Sequence, residues 1–322
     1  MPRSVLITGI TGFAGSHLAE RFVTEGVVVH GIAHEDPPHP HLSAVADQVM
    51  VHRGNILELD SVSAALAASR PDAVVHLAAQ AVPTLAARDP VATVRVNVLG
   101  TATLLTALDA HPDVRLVMAS SADVYGAPET ELVDERAPLR PANVYAATKV
   151  ASEALVREFG DHRRAATTVL RPANQIGPRQ HAELAASAFA KQIAEAEAHL
   201  AEPLVKHGSL DARRDFLDVR DMAAAYVFAA DLNEAGAAVY NVGTGHAVSV
   251  GEILQTLIAL ARLPVRAELD PERVRSGAPP AYAVDSSRFR RRTGWAPRID
   301  LRTSLLDTLD YWRGRVRAEV RA

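Results

Sequence analysis

The chain has 322 residues, 48% of them hydrophobic and 22% charged, with a formal net charge of -4. Such a composition suits a folded globular protein with a sizeable core, and its acidic balance speaks against a general nucleic-acid or membrane-surface binder, either of which needs a basic excess. Cysteine is absent, which excludes disulfides, a thiolate nucleophile and zinc–thiolate sites.

The first twenty residues, MPRSVLITGITGFAGSHLAE, hold short apolar runs broken by Gly and Thr, unlike a signal peptide. No stretch approaches the roughly twenty apolar residues of a membrane span, so a cytoplasmic protein is expected. SVLITG (4–9) reads as a buried strand and GSHLAERFVTEG (15–26) as a helix closed by Gly26. VVVHGIA (27–33), a loop rich in Pro and His, and QVMVHRGN (48–55) come next. A helix at 61–69 leads to DAVVHLAA (72–79), a long helix covers about 91–110, and VRLVMASS (114–121) follows. A second long helix runs from near Tyr145 to Phe159, before the strand TTVLRPAN (167–174). Strands alternating with helices predict an α/β fold, a Rossmann-like doubly wound parallel sheet.

Beyond Asn174 the pattern loosens. A helix near 182–200 is expected, then a charged loop, SLDARRDFLDVRD (209–221), and a helix at about 219–231. A strand AVYNVG (238–243), a helix at 249–262, a Pro/Arg-rich segment (264–282) and a last helix with Leu305, Leu306, Leu309 and Trp312 complete the chain. The division expected is a dinucleotide-binding domain over 1–174, with returning segments near 215–243, and a smaller α/β substrate domain mainly over 175–322. Ligands of such sheets bind at the carboxyl ends of the strands.

Three constellations carry chemistry. Gly9, Gly12 and Gly15 lie between a strand and a helix, where backbone N–H groups can hold a pyrophosphate. Turn glycines are common elsewhere, and the strand–turn–helix setting makes these a dinucleotide loop. Tyr145 and Lys149 stand one helical turn apart on one face. A tyrosine is a poor acid–base group near neutrality, and an adjacent ammonium favours its phenolate. Ser120, Ser121 and Asp123 follow a strand on the same sheet edge, where a hydroxyl can bond a carbonyl oxygen or simply cap a turn.

Together these elements resemble the extended, nucleotide-sugar-modifying branch of the short-chain dehydrogenase/reductase superfamily, the NAD-dependent epimerase/dehydratase family. The resemblance rests on Thr8 to Gly15, Ser121 four residues before the Tyr125 of VYG, and Tyr145 with Lys149. It continues through HLAAQ (76–80), RVNVLGT (95–101), RPANQIGP (171–178), RRDFLDVRD (213–221) and YNVGTG (240–245), nearly the whole chain. The segments around 189–221, 268–297 and 307–313 are most similar to GDP-4-keto-6-deoxy-D-mannose reductases and their GDP-mannose 4,6-dehydratase relatives. The reductase pattern has Phe where Ala173 stands and Asn where Ser209 stands, both near the implied substrate side.

The resemblance implies reduction of a 4-keto sugar, with Tyr145 delivering a proton, Ser121 bonding the keto oxygen and Lys149 holding the nicotinamide ribose. It implies cofactor contacts from Gly9, Thr11, Gly12, Phe13, Ala14, Gly15, His34, Asn55, Ile56, Leu77, Ala78, Ala79, Gln80, Asn97, Ala119, Tyr145, Lys149 and Pro172. Substrate contacts fall to Ser121, Asn174, Arg179, Lys191, Arg214 and Arg275, with Arg214 and Arg275 meeting a sugar-nucleotide diphosphate, GDP in preference. Asn97 and Asn143 serve as well for helix capping or structure as for cofactor contact. A homodimer through the two long helices is implied as well.

Dehydration is the nearest rival activity. It needs an acid and a base where this chain reads Ser121, Ala122, Asp123; Ala122 transfers no proton and Asp123 reaches less far than Glu. A 4-epimerase with the same Tyr/Lys pair, and a dinucleotide-sensing binding protein, are the other readings. The second strand ends Ala33-His34 before Glu35 and Asp36; the missing carboxylate at 33 and an imidazole at 34 favour NADP(H) over NAD(H). His34, His39 and His41 read as a polar loop with no metal, and RFRRR (288–292) as a solvated surface. Arg213, Arg220, Asp218 and Asp221 read as surface or inter-domain salt-bridge residues.

Overall fold

The structure, a computed structural model, describes residues 1–274 and 281–321. In chain order its elements are β1 (Ser4–Thr8), α1 (Phe13–Thr24), β2 (Val28–Ala33), β3 (Val49–Arg53), α2 (Leu59–Ser69), β4 (Ala73–His76), α3 (Pro83–Arg88), α4 (Pro90–Val94), α5 (Gly100–Leu108) and β5 (Arg115–Ala119). Then come β6 (Leu132–Val133), α6 (Val144–Arg163), β7 (Ala166–Pro172), β8 (Asn174–Ile176), α7 (Ala185–Glu197), β9 (Leu204–His207), β10 (Arg213–Asp218) and α8 (Val219–Asp231). Last are β11 (Gly236–Val242), β12 (Ala247–Ser249), α9 (Val250–Leu260), β13 (Arg266–Leu269), β14 (Ala283–Val284), α10 (Ser287–Thr293) and α11 (Leu301–Arg321).

Seven parallel strands form the main sheet in the order β11-β7-β5-β4-β1-β2-β3. The order reverses between β1 and β4, so the crevice at their carboxyl ends is where a ligand of this fold binds. Alternation along each strand splits the core in two. Val5, Ile7, Val29, Val75 and Val117 pack with Leu18, Phe22, Met222 and Tyr226 on the face of α1 and α8. Leu6, Ile32, Val74, Leu116 and Met118 pack with Val62, Leu66, Leu104, Leu108 and Val156 on the opposite face, under α2, α5 and α6. A strand buried on both sides must be apolar at successive positions, which is why these read as continuous β-branched and Leu runs.

The long helix expected at 91–110 is three pieces: α4, a π-helical stretch Arg95–Leu99, and α5. Contrary to expectation, the run Pro90–Leu108 is long and apolar enough to span a membrane by composition alone, and 44% of it is buried in the protein. Val91, Val94 and Leu99 remain exposed along it.

A third core cluster joins α7, α9 and α11 through Phe189, Ile193, Ile253, Leu257, Leu305 and Leu309. Two small sheets, β12-β10-β8 and β13-β9, border it, and a third, β14-β6, adds Val133 and Val284 to the core on the α1/α8 side. The charged stretch expected as a loop is therefore largely a strand, β10, bonded parallel to β8 and antiparallel to β12. Asp215, Asp218 and Asp221 are buried, which corrects the surface reading of the last two. Asp215 accepts from the backbone N–H groups of Thr244 and Gly245 at 3.0 Å and of Val284 at 3.3 Å. Asp218 caps α8 and binds Arg220 and Ser304, and Asp221 accepts from Arg298 and Ile299 at 2.9 Å each. The basic run 288–292 is also more than solvated surface. It forms α10, and Arg290 donates to the carbonyls of Gly243 and Thr244.

Candidate active site

The turn after β1 brings the chain back on itself at Gly9, whose φ is 72°. A Cβ there would lie 2.9 Å from the Ala78 backbone, and one at Gly15 would lie 2.1 Å from the Gly9 carbonyl, so neither position admits a side chain. Gly12 caps α1 with no side-chain hydrogen bond, and the first turn carries no acidic residue. Phe13, Ala14 and Gly15 thus open a helix whose N–H groups face the crevice uncapped, an arrangement that fits a pyrophosphate. Thr8 closes the other side of the crevice: its hydroxyl accepts from the N–H of Leu77 at 3.2 Å and of Ala78 at 3.1 Å.

Next to Thr8 lies a chain of buried polar side chains. His76 Nδ1 is 2.8 Å from the Thr8 hydroxyl and Nε2 is 3.0 Å from that of Thr101, which donates to the Asn97 carbonyl at 2.6 Å. Burial, then the nearby Lys149 ammonium, hold His76 far below the usual imidazole range, at about 3, so it is neutral. Asn97 uses its amide on the backbone of Gln80 and on Thr148, at 2.7 to 3.2 Å. Its role here is to hold the Leu77–Gln80 turn. Asn143 caps α6 by accepting from Ala146. Asn55 braces its own turn through Leu57 N–H, and Ile56 packs against Gly100.

Tyr145 and Lys149 enter from the first turns of α6, both nearly fully buried. Lys149 Nζ donates to the Ala119 carbonyl at 2.7 Å and stands 5.9 Å from the centre of the Tyr145 ring. Burial lowers the Lys149 ammonium to about 8, with Glu153 pulling the other way. Burial also pushes the Tyr145 phenol up; Asp123 adds to the rise and a hydrogen bond with Ser121 opposes it. In this structure the phenol therefore holds its proton, and the expected lowering toward the phenolate is absent.

Ser121 begins a short 3-10 turn, Ala122–Tyr125, and accepts from the Asp123 N–H at 3.1 Å. Asp123 is raised by burial against the pull of Arg214. Arg214, on β10, places its guanidinium 5.2 Å from the ring of Tyr282, and that phenol donates to the Ala122 carbonyl at 3.0 Å. Ser121, Asp123, Tyr145 and Arg214 consequently meet at one end of the sheet, with Ala119, Pro172 and Asn174 at the strand ends around them.

Other expected contacts lie elsewhere. Arg179, with φ 73°, turns back to α1: it holds both Glu20 oxygens at 2.8 Å, His17 Nδ1 at 2.8 Å and the His41 carbonyl at 2.7 Å. A guanidinium paired with a carboxylate in this way has few donors left for a substrate, so Arg179 is corrected to a clasp. Lys191 pairs with Glu195 along α7 and lies over the Trp312 ring. His34 is exposed beside Glu35. Arg275 lies outside the described residues. Sequence reading missed Tyr282, Glu153, Arg171 and Arg53. Only Glu153 left a signal, four residues after Lys149 on the same helical face.

A sequence model of the family described as GDP-mannose 4,6 dehydratase matches residues 6–308. The GDP-6-deoxy-D-mannose reductase of Pseudomonas aeruginosa is 34% identical over 322 residues, covering 99% of this chain and 100% of that protein. Among solved structures, RMD from Pseudomonas aeruginosa complexed with NADPH is 32% identical with a TM-score of 0.82, covering 97% of this chain and 99% of that one. The UDP-glucose 4-epimerase of Thermus thermophilus in complex with NAD is 29% identical with a TM-score of 0.85 and the same coverage. With its parallel sheet, glycine turn and Tyr145/Lys149 helix, the chain belongs to the GDP-mannose 4,6 dehydratase family of NAD(P)-dependent short-chain dehydrogenase/reductases.

Proposed function

We propose that the protein reduces a GDP-4-keto-6-deoxy-hexose of the GDP-4-keto-6-deoxy-D-mannose type, as a step of deoxysugar biosynthesis. The observation that carries this reading is the Ser121–Ala122–Asp123 turn. It sets a hydroxyl against Tyr145, and its middle residue is an alanine whose carbonyl is taken by Tyr282. A nicotinamide dinucleotide held at the glycine turn would supply the hydride for the keto carbon. Tyr145, kept protonated by burial, gives its proton to the keto oxygen, and Ser121 bonds that oxygen. The Lys149 ammonium one turn on stabilises the phenolate left behind. Arg214 meets the diphosphate. Given a GDP-4-keto-6-deoxy sugar and NADPH, the protein should consume the absorbance of the reduced nicotinamide; no consumption would end this reading.

One feature favours dehydration as the second reading. Asp123 is half-buried near Tyr145, and its desolvation raises the carboxyl, which suits a proton-transferring acid. A dehydratase would convert a GDP-hexose into a product lighter by one water, with no net use of cofactor.

NADP(H) is the proposed cofactor. Ala33 ends β2 without a carboxylate, and its register partner Arg53 carries a guanidinium to the same edge, 3.3 Å from Asp36. A Glu35 oxygen lies 3.4 Å from the Thr11 hydroxyl in the same corner. Arg53→Ala should raise KM for NADPH several-fold and leave that for NADH unchanged; equal effects would dismiss the assignment. A homodimer is proposed through the exposed apolar side of the 90–108 run, where Val91 is 72% and Leu99 53% exposed, together with Ala147 and Ala154 of α6. Sedimentation as a monomer at micromolar concentration would refute it.

A further inference from the structure

Beneath the site lies an ion pair that the chemistry above does not use. Glu153 and Arg171 are 1% and 2% exposed. Arg171 grips the carboxylate with two nitrogens, Nε at 2.9 Å and Nη2 at 2.6 Å. Taking both charges out of water costs several kcal/mol each, and apolar side chains of the same volume often do as well for stability, so the pair calls for another role.

Its remaining bonds suggest one. The Ser120 hydroxyl donates to Glu153, and Arg171 Nη1 donates to the Tyr125 hydroxyl at 2.9 Å. Tyr125, fully buried, donates its proton to Asn241 at 2.6 Å and lies under the guanidinium, 5.1 Å from the ring centre. Ser120 is also tied to β7 through the Leu170 carbonyl at 2.7 Å. The residues held are thus Ser120 and Tyr125, and the segment between them carries Ser121, Ala122 and Asp123. Glu153 stands on α6 one turn beyond Lys149 and two beyond Tyr145, on the same face. One rigid helix therefore presents the Tyr/Lys pair and, through the ion pair, the turn facing it.

We propose that Glu153 and Arg171 are positioning residues: a buried ion pair that holds the Ser121–Asp123 turn at both ends and fixes it against Tyr145 and Lys149. The inference rests on the Tyr145/Lys149 reading of the site. The Glu153 carboxylate has a second effect that a purely structural brace lacks, since its charge supports the buried Lys149 ammonium.

The test uses the full chain and the pH profile of kcat. Glu153→Gln keeps an acceptor for Ser120 and removes the charge. It should lower kcat by about 100-fold at constant cooperative folding. KM for the sugar nucleotide should stay within threefold, about 0.7 kcal/mol. The alkaline limb of the profile should move to lower pH. Glu153→Asp, which keeps the charge, should return that limb to its place. Should Glu153→Gln fail to fold, the double variant Glu153→Met with Arg171→Met removes both charges at similar volume and should fold with kcat equally reduced. Folded variants with wild-type kcat and an unmoved alkaline limb would overturn the proposal. Tyr145→Phe, assayed alongside, separates the two failures. If it still turns over, the site reading falls and this inference with it; if it is dead while the pair variants are normal, the inference alone falls.

Discussion

Beneath Tyr145 and Lys149, Glu153 and Arg171 meet as a buried pair of opposite charges; along 213–221 the buried charges are Asp215, Asp218 and Asp221, and the arginines lie further out. In the first region each charge is matched by another charge, and the Glu153 carboxylate also acts on the Lys149 ammonium. In the second, Asp215 and Asp221 are matched chiefly by backbone N–H groups, so they fix the course of the chain at 243–245 and 298–299, and Asp218 pairs with a charge, that of Arg220. The same residue types serve electrostatics in one place and loop geometry in the other. What decides is the partner. A carboxylate that meets several N–H donors is a local fold determinant, whereas one that meets a guanidinium is half of a charge pair.

That contrast can be broken at either end. The largest effect is expected at the reacting group: Tyr145→Phe should reduce kcat by about a thousandfold with an unchanged melting temperature. Turnover within tenfold of the parent would show that burial beside Asp123 does not mark the proton donor. Next comes Asp215→Ala, which strands the donors of Thr244, Gly245 and Val284. It should cost roughly 3 kcal/mol in denaturant unfolding, with kcat in the surviving folded fraction little changed. A loss below 1 kcal/mol would remove Asp215 as the anchor of that loop. Arg214→Ala should raise KM for the sugar nucleotide by about tenfold to a hundredfold and leave KM for NADPH alone, as expected for one lost charge-assisted contact. An unchanged sugar-nucleotide KM would place Arg214 with its structural neighbours.

The smallest effect is in acid. Burial lowers His17 from 6.5 to about 4, with Arg179 adding to the drop, and lowers His76 to about 3. Between these values and 6.5 the unfolded chain binds more protons than the folded one. Their contribution to stability is complete above pH 6.5 and declines as pH falls toward 4, by at most about 1.4 kcal/mol per pH unit for each histidine. Unfolding free energies at pH 7 and pH 5.5 check the sign, and His17→Gln should flatten the dependence. Equal stability at both values, in parent and variant, would contradict the burial argument.

Much of this could be read from the chain because the relevant neighbours are close in sequence. The glycine turn lies within seven residues, Tyr145 and Lys149 within one helical turn, and the apolar alternation within each strand. The resemblance carried by RRDFLDVRD (213–221) singled out Arg214. The failures have the opposite cause. β8, β10 and β12 are three to six residues long and exist only through pairing with one another, so the charges of 209–221 read as a loop. Arg179 gave no hint of Glu20, 159 positions away, nor Arg171 of Tyr125, 46 away. Arg53 acquires meaning only once its register against Ala33 is known.

The Arg179 clasp has a thermal consequence. It joins the loop after β8 to the helix that opens at the glycine turn, while Asp218 and Asp221 fasten α8 to Ser304 and to 298–299. Heating therefore meets one body: the sheet and the α7–α9–α11 cluster should melt together in a single calorimetric peak. A sugar nucleotide that moves that peak then protects the glycine turn as well.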